Sequence, residues 1–254
     1  MKKTVAPGLL FISMLLTYGV FAQETGIKFA IGEWEPYTGE KIAGNGLAAE
    51  IVTAACTAVG LKAEYEFFPW KRAENNVLTG THFATFPYKE LQERLADYWF
   101  SSEKLFSSNF GVLMHKKNAK TANFKHSKPE DFNNYSVGIV TGTDAIKLPL
   151  KKAGVKVEDV PTADQNLKKL EAGRIDFYID DKAVIFQALK KTYTAEQMAD
   201  FVFSGQGFGE KNDFKIMISQ KYPNSKELMG KVNEGLNKIA ETGEYKKILG
   251  KYGL

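Results

Sequence analysis

Apolar residues in the first part of the chain recur with two periods, one typical of strands and one typical of helices. Residues 27–31 and 62–68 have the pattern of short strands. Residues 46–59 and 71–78 carry apolar positions three to four apart, and each run is followed by a glycine, as helices often are. Strand–helix–strand order favours a parallel sheet with helices on its faces, so we predict an α/β fold.

The same order restarts after a polar stretch at 116–128. Residues 136–140 and 155–160 predict strands, and Gly142-Thr143-Asp144 predicts the start of the helix between them. We therefore predict two α/β modules, at about 27–110 and 120–205. A cleft between two such lobes is a common place for small ligands.

Helix starts in the second half of the chain are marked by candidate capping residues. Ser127 with Glu130, and Thr162 with Gln165, have the spacing of capping boxes. Asn224 is expected to cap a helix whose apolar residues recur three to four apart. Two further segments complete the prediction, a strand at 214–219 and a last short helix at 244–249. The pattern leaves open which lobe these C-terminal segments join.

A buried strand that ends in two acids follows the helix stop at Gly173. Asp180 and Asp181 stand at the carboxyl end of this strand, where α/β sheets bind ligands. A buried carboxylate without a partner is costly, so a metal, a general-acid reaction or a cationic ligand could explain them. Successive strand residues point to opposite faces, so we expect the two acids to take different roles.

The N-terminus has the pattern of a secretory signal peptide at 1–22. Lys2 and Lys3 precede a mostly apolar run at 9–21, and a small-residue cleavage site ends at Ala22. The run is shorter than the roughly 20 residues that a membrane helix needs. We therefore expect a cleaved, exported and soluble protein.

Composition excludes several classes of function. The formal charge of +4 falls to +2 without the two signal-peptide lysines, which is no footprint for nucleic acid. Cys56 lies on an apolar helical stripe and is interpreted as a buried core residue. His82, His115 and His126 have no metal-ligand spacing and are interpreted as surface or loop residues. No phosphate loop or nucleophile motif is present either, so we predict no cofactor and no metal.

Aromatic and cationic side chains supply the candidates for a binding site. Trp34, Tyr37 and Trp70 lie in proline-containing loops directly after the first two strands, where they could form a ligand wall. Either Arg94 or Arg72 could clamp a carboxylate. Thr143 opens a helix, and the free amides of a helix N-terminus suit an anion.

Several segments of the chain, by their order and spacing, resemble the family-3 periplasmic solute-binding proteins, the amino-acid-binding components of ABC importers. The segments are Glu93-Arg94 with Phe100-Ser101, 137–143, 170–181, 233–236, 243–248 and 251–253. The resemblance implies a two-lobed type II periplasmic-binding-protein fold. Lobe 1 would comprise 23–113 and 210–254, lobe 2 would comprise 114–209, and two crossover strands would form a hinge.

The resemblance also implies roles for individual residues. Arg94 would clamp the α-carboxylate of an amino acid, Thr143 with its backbone amide would complete that carboxylate site, and Asp181 would accept the α-ammonium. Asp180 would then be a structural neighbour. The segment 85–89 departs from the family pattern by lacking its usual hydroxyl residues, and Tyr88, Lys89 and Arg72 are further candidates.

The implied function is capture of an amino acid or similar small polar solute by hinge closure, in the periplasm, for delivery to an ABC permease. We expect a monomer without catalytic turnover and without a nucleic-acid partner. Two alternatives remain open. One is a periplasmic dehydratase of the cyclohexadienyl type, with Asp180, Asp181 or Glu33 as general acid. The other is a ligand-binding protein that feeds a membrane receptor.

Overall fold

A computed structural model of the protein describes residues 25–253. The predicted signal peptide at 1–22 lies outside the described residues. Within residues 25–253, no helix is long and apolar enough to cross a membrane.

Strands and helices alternate along the chain as the apolar pattern predicts. The first elements are β1 (Thr25–Ile31), α1 (Leu47–Thr57), β2 (Leu61–Phe67), α2 (Trp70–Leu78), β3 (Ala84–Lys89), β4 (Tyr98–Phe100) and β5 (Phe106–His115). Next come β6 (Ser136–Val140), α3 (Asp144–Lys152), β7 (Lys156–Val160), α4 (Ala163–Glu171), β8 (Phe177–Asp181), α5 (Lys182–Thr192) and α6 (Ala195–Met198). The chain ends with β9 (Phe201–Ser219), α7 (Ser225–Glu241) and α8 (Glu244–Lys251).

The strands of both modules belong to one nine-stranded sheet with the order β2-β1-β3-β9-β5-β8-β6-β7, and β4 pairs with β9. β1 is parallel to β2 and β3, and β6 is parallel to β7 and β8, which confirms the predicted βαβ units. We call β1–β4 with α1, α2, α7 and α8 the first lobe, and β6–β8 with α3–α6 the second lobe. α7 and α8 join the first lobe because both pack on α1.

Two long antiparallel strands join the lobes. β9 pairs with β3 and β4 at its C-terminal end and with β5 along most of its length, while β5 pairs with β8. The expected lobe boundaries at 113/114 and 210 fall within these two strands. Any movement of one lobe against the other therefore has to be accommodated by β5 and β9.

The capping predictions had mixed outcomes. The Thr162 hydroxyl accepts the Gln165 amide at 3.4 Å and caps α4, which confirms the Thr162 half of the predicted box. The predicted box of Ser127 and Glu130 is wrong, because the Asp131 carboxylate, one residue later, accepts the Ser127 amide at 2.7 Å. Asn224 precedes α7, but its side chain makes no capping bond. Its backbone has φ 56°, whereas a capping residue normally has extended φ and ψ.

The prediction that the histidines lie on the surface or in loops is confirmed for His82 and His126, which lie in loops, and is wrong for His115, which ends β5. His82, His115 and His126 are all buried, each with its ring against an aromatic neighbour. Burial lowers the pKa of His115 and of His126, which favours their neutral forms. Cys56 is buried, as its apolar stripe predicts, and burial raises the pKa of its thiol.

Candidate functional site

A cavity lies between the two lobes, beside the strands that join them. Its volume is about 50 Å³, enough for a few water molecules. Its aromatic walls are Trp34, Trp70, Tyr88, Phe110 and Phe214. Its charged lining residues are Lys89, Arg94 and Asp144, and Thr143 lies beside them.

The predicted aromatic wall separates into two residues that line the cavity and one that supports it. The Trp34 ring packs at 5.1 Å from Phe214, and its indole N–H donates to Asp180 Oδ1 at 3.0 Å. Tyr37 stacks on Phe106 at 4.3 Å, away from the cavity lining, and packs against Trp34 at 4.7 Å. Tyr37 thus holds Trp34 in place.

Trp70 reaches from the first turn of α2 to the second lobe. A Cβ atom built on Gly142 would lie 2.9 Å from Trp70 Cβ, so the close approach requires a glycine there. Gly142 also has φ +96°, which side-chain-bearing residues rarely adopt. The indole N–H of Trp70 donates to the Glu33 carbonyl at 3.2 Å, which fixes the ring across the cleft.

Arg94 is buried at the end of a short 3₁₀ helix, Gln92–Arg94, in the first lobe. Its guanidinium lies over the Tyr88 ring at 4.7 Å. Nη2 donates to Asp144 Oδ2 of the second lobe at 2.8 Å, Nη1 donates to the Lys89 carbonyl at 3.4 Å, and Nε lies 3.9 Å from Glu74 Oε1. The structure therefore places a fixed cation in the cavity and a carboxylate of the opposite lobe against it.

Tyr88 and Lys89 also line the cavity. The Tyr88 hydroxyl is buried and has no hydrogen-bond partner among the described residues, and burial raises its pKa. Lys89 Nζ donates to Asn212 Oδ1 at 2.8 Å. Arg72 is exposed, stacks on Phe68 at 5.1 Å and does not line the cavity.

Thr143 precedes α3 and lines the cavity, but its amide is already bonded. The Thr143 N–H donates to the Val140 carbonyl at 3.1 Å, and the Asp144 N–H donates to the Gly142 carbonyl at 3.0 Å. The next residue, Asp144, was missed in the sequence as a site residue. Its only local signal is an acid in the first turn of a helix, which the helix dipole explains by itself.

The two acids at the end of β8 have different partners, as period-two geometry predicts. Asp181 Oδ1 accepts the Tyr37 hydroxyl at 3.0 Å and the Ala183 amide at 2.8 Å, and so caps α5. Asp180 accepts the Trp34 indole N–H and the Tyr178 hydroxyl, the latter at 2.7 Å. Burial raises the pKa of Asp181 and raises the pKa of Asp180 to about 6. Neither carboxylate is among the cavity-lining residues.

Metal-ligating side chains are not clustered in the described part of the chain. Residues 25–253 contain no group of three or more His, Cys, Asp and Glu side chains that could hold an ion. The chemistry available in the cavity is therefore that of aromatic faces, two cations, one carboxylate and hydroxyl groups.

Known proteins resemble this chain over almost its whole length. Residues 28–254 match the family described as bacterial extracellular solute-binding proteins, family 3, while no curated protein matches the sequence. One similar structure is an ancestral arginine-binding protein bound to arginine, with 21% identity, a TM-score of 0.73, and coverage of 90% of this chain and 98% of that one. Another is the substrate-binding protein of an amino acid ABC transporter, with 19% identity, a TM-score of 0.68, and coverage of 88% and 98%.

A third similar structure is an ancestral amino-acid-binding protein, a precursor of cyclohexadienyl dehydratase, with 19% identity, a TM-score of 0.68, and coverage of 88% and 94%. At these identities the likenesses show the fold alone, and it is the two-lobed periplasmic-binding-protein fold that the sequence predicted. Because the family match spans residues 28–254, the chain belongs to family 3 of the bacterial extracellular solute-binding proteins.

Proposed function

We propose that this protein captures an amino acid or a similar small polar solute in the cavity between its lobes. The observation that carries the proposal is the position of Arg94, a buried guanidinium in an aromatic-walled cavity whose opposite side belongs to the second lobe. A guanidinium suits a carboxylate because it presents several N–H donors in a fixed plane. A solute held by both lobes stabilises the closed arrangement by binding it better than the open one.

Closure passes through β5 and β9, and the captured solute is delivered to an ABC permease in the inner membrane. This step rests on the family and on the likeness to the substrate-binding protein of an amino acid ABC transporter. The family's description as extracellular supports a periplasmic location. In the proposed mechanism Trp34 and Trp70 form the wall, Arg94 holds an anionic group, and Thr143 offers its hydroxyl from the second lobe.

The proposed role of Asp181 as an ammonium acceptor requires a change in its bonds. Its Oδ1 is engaged by Tyr37 and by the first turn of α5. An ammonium group would approach Asp181 only if Tyr37 moved aside as the lobes separate. Binding of amines that lack a carboxylate, measured with the Tyr37→Phe variant and the parent, tests this role.

A thermal-shift screen of the mature protein against amino acids, amines and small carboxylates tests the proposed function. A bound solute stabilises the folded state by about 2.7 kcal/mol when it is present at 100 times its Kd. We expect at least one amino acid or related solute to raise the melting temperature with a saturable dose dependence. Absence of any stabilising solute across the panel would overturn the proposal.

Delivery to an importer is tested separately by uptake of the identified radiolabelled solute in cells that lack the gene. We expect uptake to fall. Unchanged uptake, together with solute binding by the purified protein, would favour a receptor partner instead. A dehydratase needs a general acid within reach of its substrate, whereas the candidate acids Glu33, Asp180 and Asp181 do not line the cavity, and Asp144, which does, is paired with Arg94. Incubation with arogenate or prephenate should therefore give no product above the uncatalysed rate.

A further inference from the structure

The Arg94–Asp144 ion pair joins the lobes inside the cavity. Asp144 is the first residue of α3, and its Oδ2 lies 2.8 Å from Arg94 Nη2. The Arg94 side chain is 8% exposed and that of Asp144 is 28% exposed. A charge-assisted hydrogen bond this well shielded from water contributes more than a surface pair.

Two further nitrogens of Arg94 also face groups of the protein. Nη1 donates to the Lys89 carbonyl, and Nε faces the Glu74 carboxylate of the first lobe. Two carboxylates, one from each lobe, thus face a single guanidinium. A solute carboxylate that approaches Arg94 meets the negative charge of Asp144 at the same group.

Backbone amides at the start of α3 do not offer an alternative anion site at Thr143 or Asp144. Both N–H groups are bonded to carbonyls of the preceding turn, at Val140 and Gly142. At Thr143 and Asp144, the group that the second lobe presents to Arg94 is therefore the Asp144 carboxylate and not a free amide donor. The negative charge of Asp144 therefore changes how the cavity discriminates between solutes that carry a carboxylate and solutes that do not.

We propose that Asp144 is a specificity-determining residue, an internal carboxylate that competes with a solute carboxylate for Arg94. The inference rests on the proposed function, because it assumes that solutes bind in this cavity. It predicts that the protein penalises free α-carboxylates relative to the corresponding carboxamides. Solutes that bear a carboxylate bind only by displacing Asp144 from Arg94.

The test compares matched pairs of ligands in the parent and in Asp144→Asn. The pairs are L-leucine, L-phenylalanine and L-arginine as free acids and as α-carboxamides, together with the tightest-binding acid of the panel and its carboxamide. Asparagine preserves the size of the side chain but removes its charge. Calorimetric titration should show the acid-over-amide preference rising by about tenfold or more, since the solute carboxylate no longer has to displace a charged partner from Arg94.

Glu35→Gln is the matched control. Glu35 pairs with Lys191 of the second lobe at 2.5 Å, so this variant also removes a carboxylate from an ion pair between the lobes. Glu35 lines a different cavity from Arg94. The acid-over-amide preference should stay at the parent value in this variant.

A second measurement needs no solute. Melting temperatures of Arg94→Ala, Asp144→Asn and the double variant should be non-additive, because each single change removes the same pair. Additive shifts would overturn the inference, as would an unchanged acid-over-amide preference in Asp144→Asn when the parent binds. If the parent binds no solute in the panel at all, the proposed function itself fails, which is a different outcome.

Discussion

At the scale of single residues, two arginines that look equivalent in the sequence have opposite surroundings. Arg94 is buried between Tyr88, Glu74 and Asp144, whereas Arg72 is exposed on the outer surface of α2. The difference arises from which side of the first lobe each local turn faces. Of these two arginines, only Arg94 lines the cavity between the lobes.

Replacement of Arg94 by alanine should strongly weaken the binding of carboxylate solutes. The variant loses charge-assisted hydrogen bonds, so we expect Kd to rise by about 100-fold, near 3 kcal/mol. Isothermal titration calorimetry measures the effect, with circular dichroism to verify the fold. Arg72→Ala is the control and should bind like the parent. Equal affinity in Arg94→Ala would place the carboxylate site elsewhere.

Asp180 is a buried acid whose protonation should couple to folding. Burial raises its pKa to about 6 although the Trp34, Tyr178 and Asp181 groups donate hydrogen bonds to it. Because the folded pKa lies above the unfolded value of 3.8, the folded state binds the proton more tightly. The contribution of Asp180 protonation to the free energy of unfolding is therefore fully present below pH ~4 and is lost as the pH rises through ~6.

The Asp180→Asn variant should remove that pH dependence. Asparagine can accept from Trp34 and donate to the Tyr178 hydroxyl, so the local network survives. Relative to the parent, the variant should gain stability between pH 4 and 7, on the order of 3 kcal/mol. Urea unfolding at several pH values measures the difference. A parent-minus-variant difference that is flat with pH would contradict the raised pKa.

At the scale of elements, α1 and α7 pack so closely that one glycine is required. A Cβ atom on Gly235 of α7 would lie 2.1 Å from the Ala55 carbonyl oxygen of α1, which is backbone and cannot rotate away. Gly230, on the exposed side of the same helix, has nothing within 4 Å of the corresponding position. The helix sequence thus contains two glycines with different reasons to be there.

Gly235→Ala should destabilise the protein by about 2 kcal/mol or more, because the helices must separate to admit the methyl group. Gly230→Ala is the matched control and should stabilise it by up to about 1 kcal/mol through helix propensity alone. Thermal or urea unfolding of the two variants distinguishes them. Similar effects of the same sign would contradict the packing of α1 on α7.

At the scale of the whole molecule, Trp70 lies where three hydrophobic clusters meet. It packs against all three hydrophobic clusters, including the one built on the second lobe around Leu167 and Tyr178. Trp99 is similarly half-buried but packs within the first lobe, on β4. Trp70 is therefore positioned to stabilise the closed arrangement.

Solute binding should reduce the radius of gyration in small-angle X-ray scattering, and Trp70→Ala should weaken both binding and contraction. Loss of apolar contact across the cleft should raise Kd by about tenfold or more, since burial contributes roughly 25 cal/mol per Å². Trp99→Ala serves as the control and should contract like the parent. Full contraction of Trp70→Ala at unchanged affinity would rule out this role.

Much of the fold could be predicted because its signals are local. Strand and helix periods, the glycine stops and the Thr162 cap each depend on residues a few positions apart, and β6 was predicted with its observed bounds. Asn224 failed as a cap because its backbone conformation depends on how the preceding turn packs. The burial of the three histidines was not predicted because it depends on aromatic partners such as Phe68, Phe201 and Phe132 elsewhere in the fold.

The sequence by itself determined the α/β class, the candidate cation Arg94 and the aromatic residues after the first two strands. Only the tertiary structure decided that Asp144, 50 positions away, faces Arg94, and that Asp181 is held by Tyr37. It also decided that β5 and β9 carry both lobes on one sheet. The reason is physical: strand and helix periods depend on neighbouring residues, whereas contacts across a cleft depend on how segments far apart in the sequence are brought together.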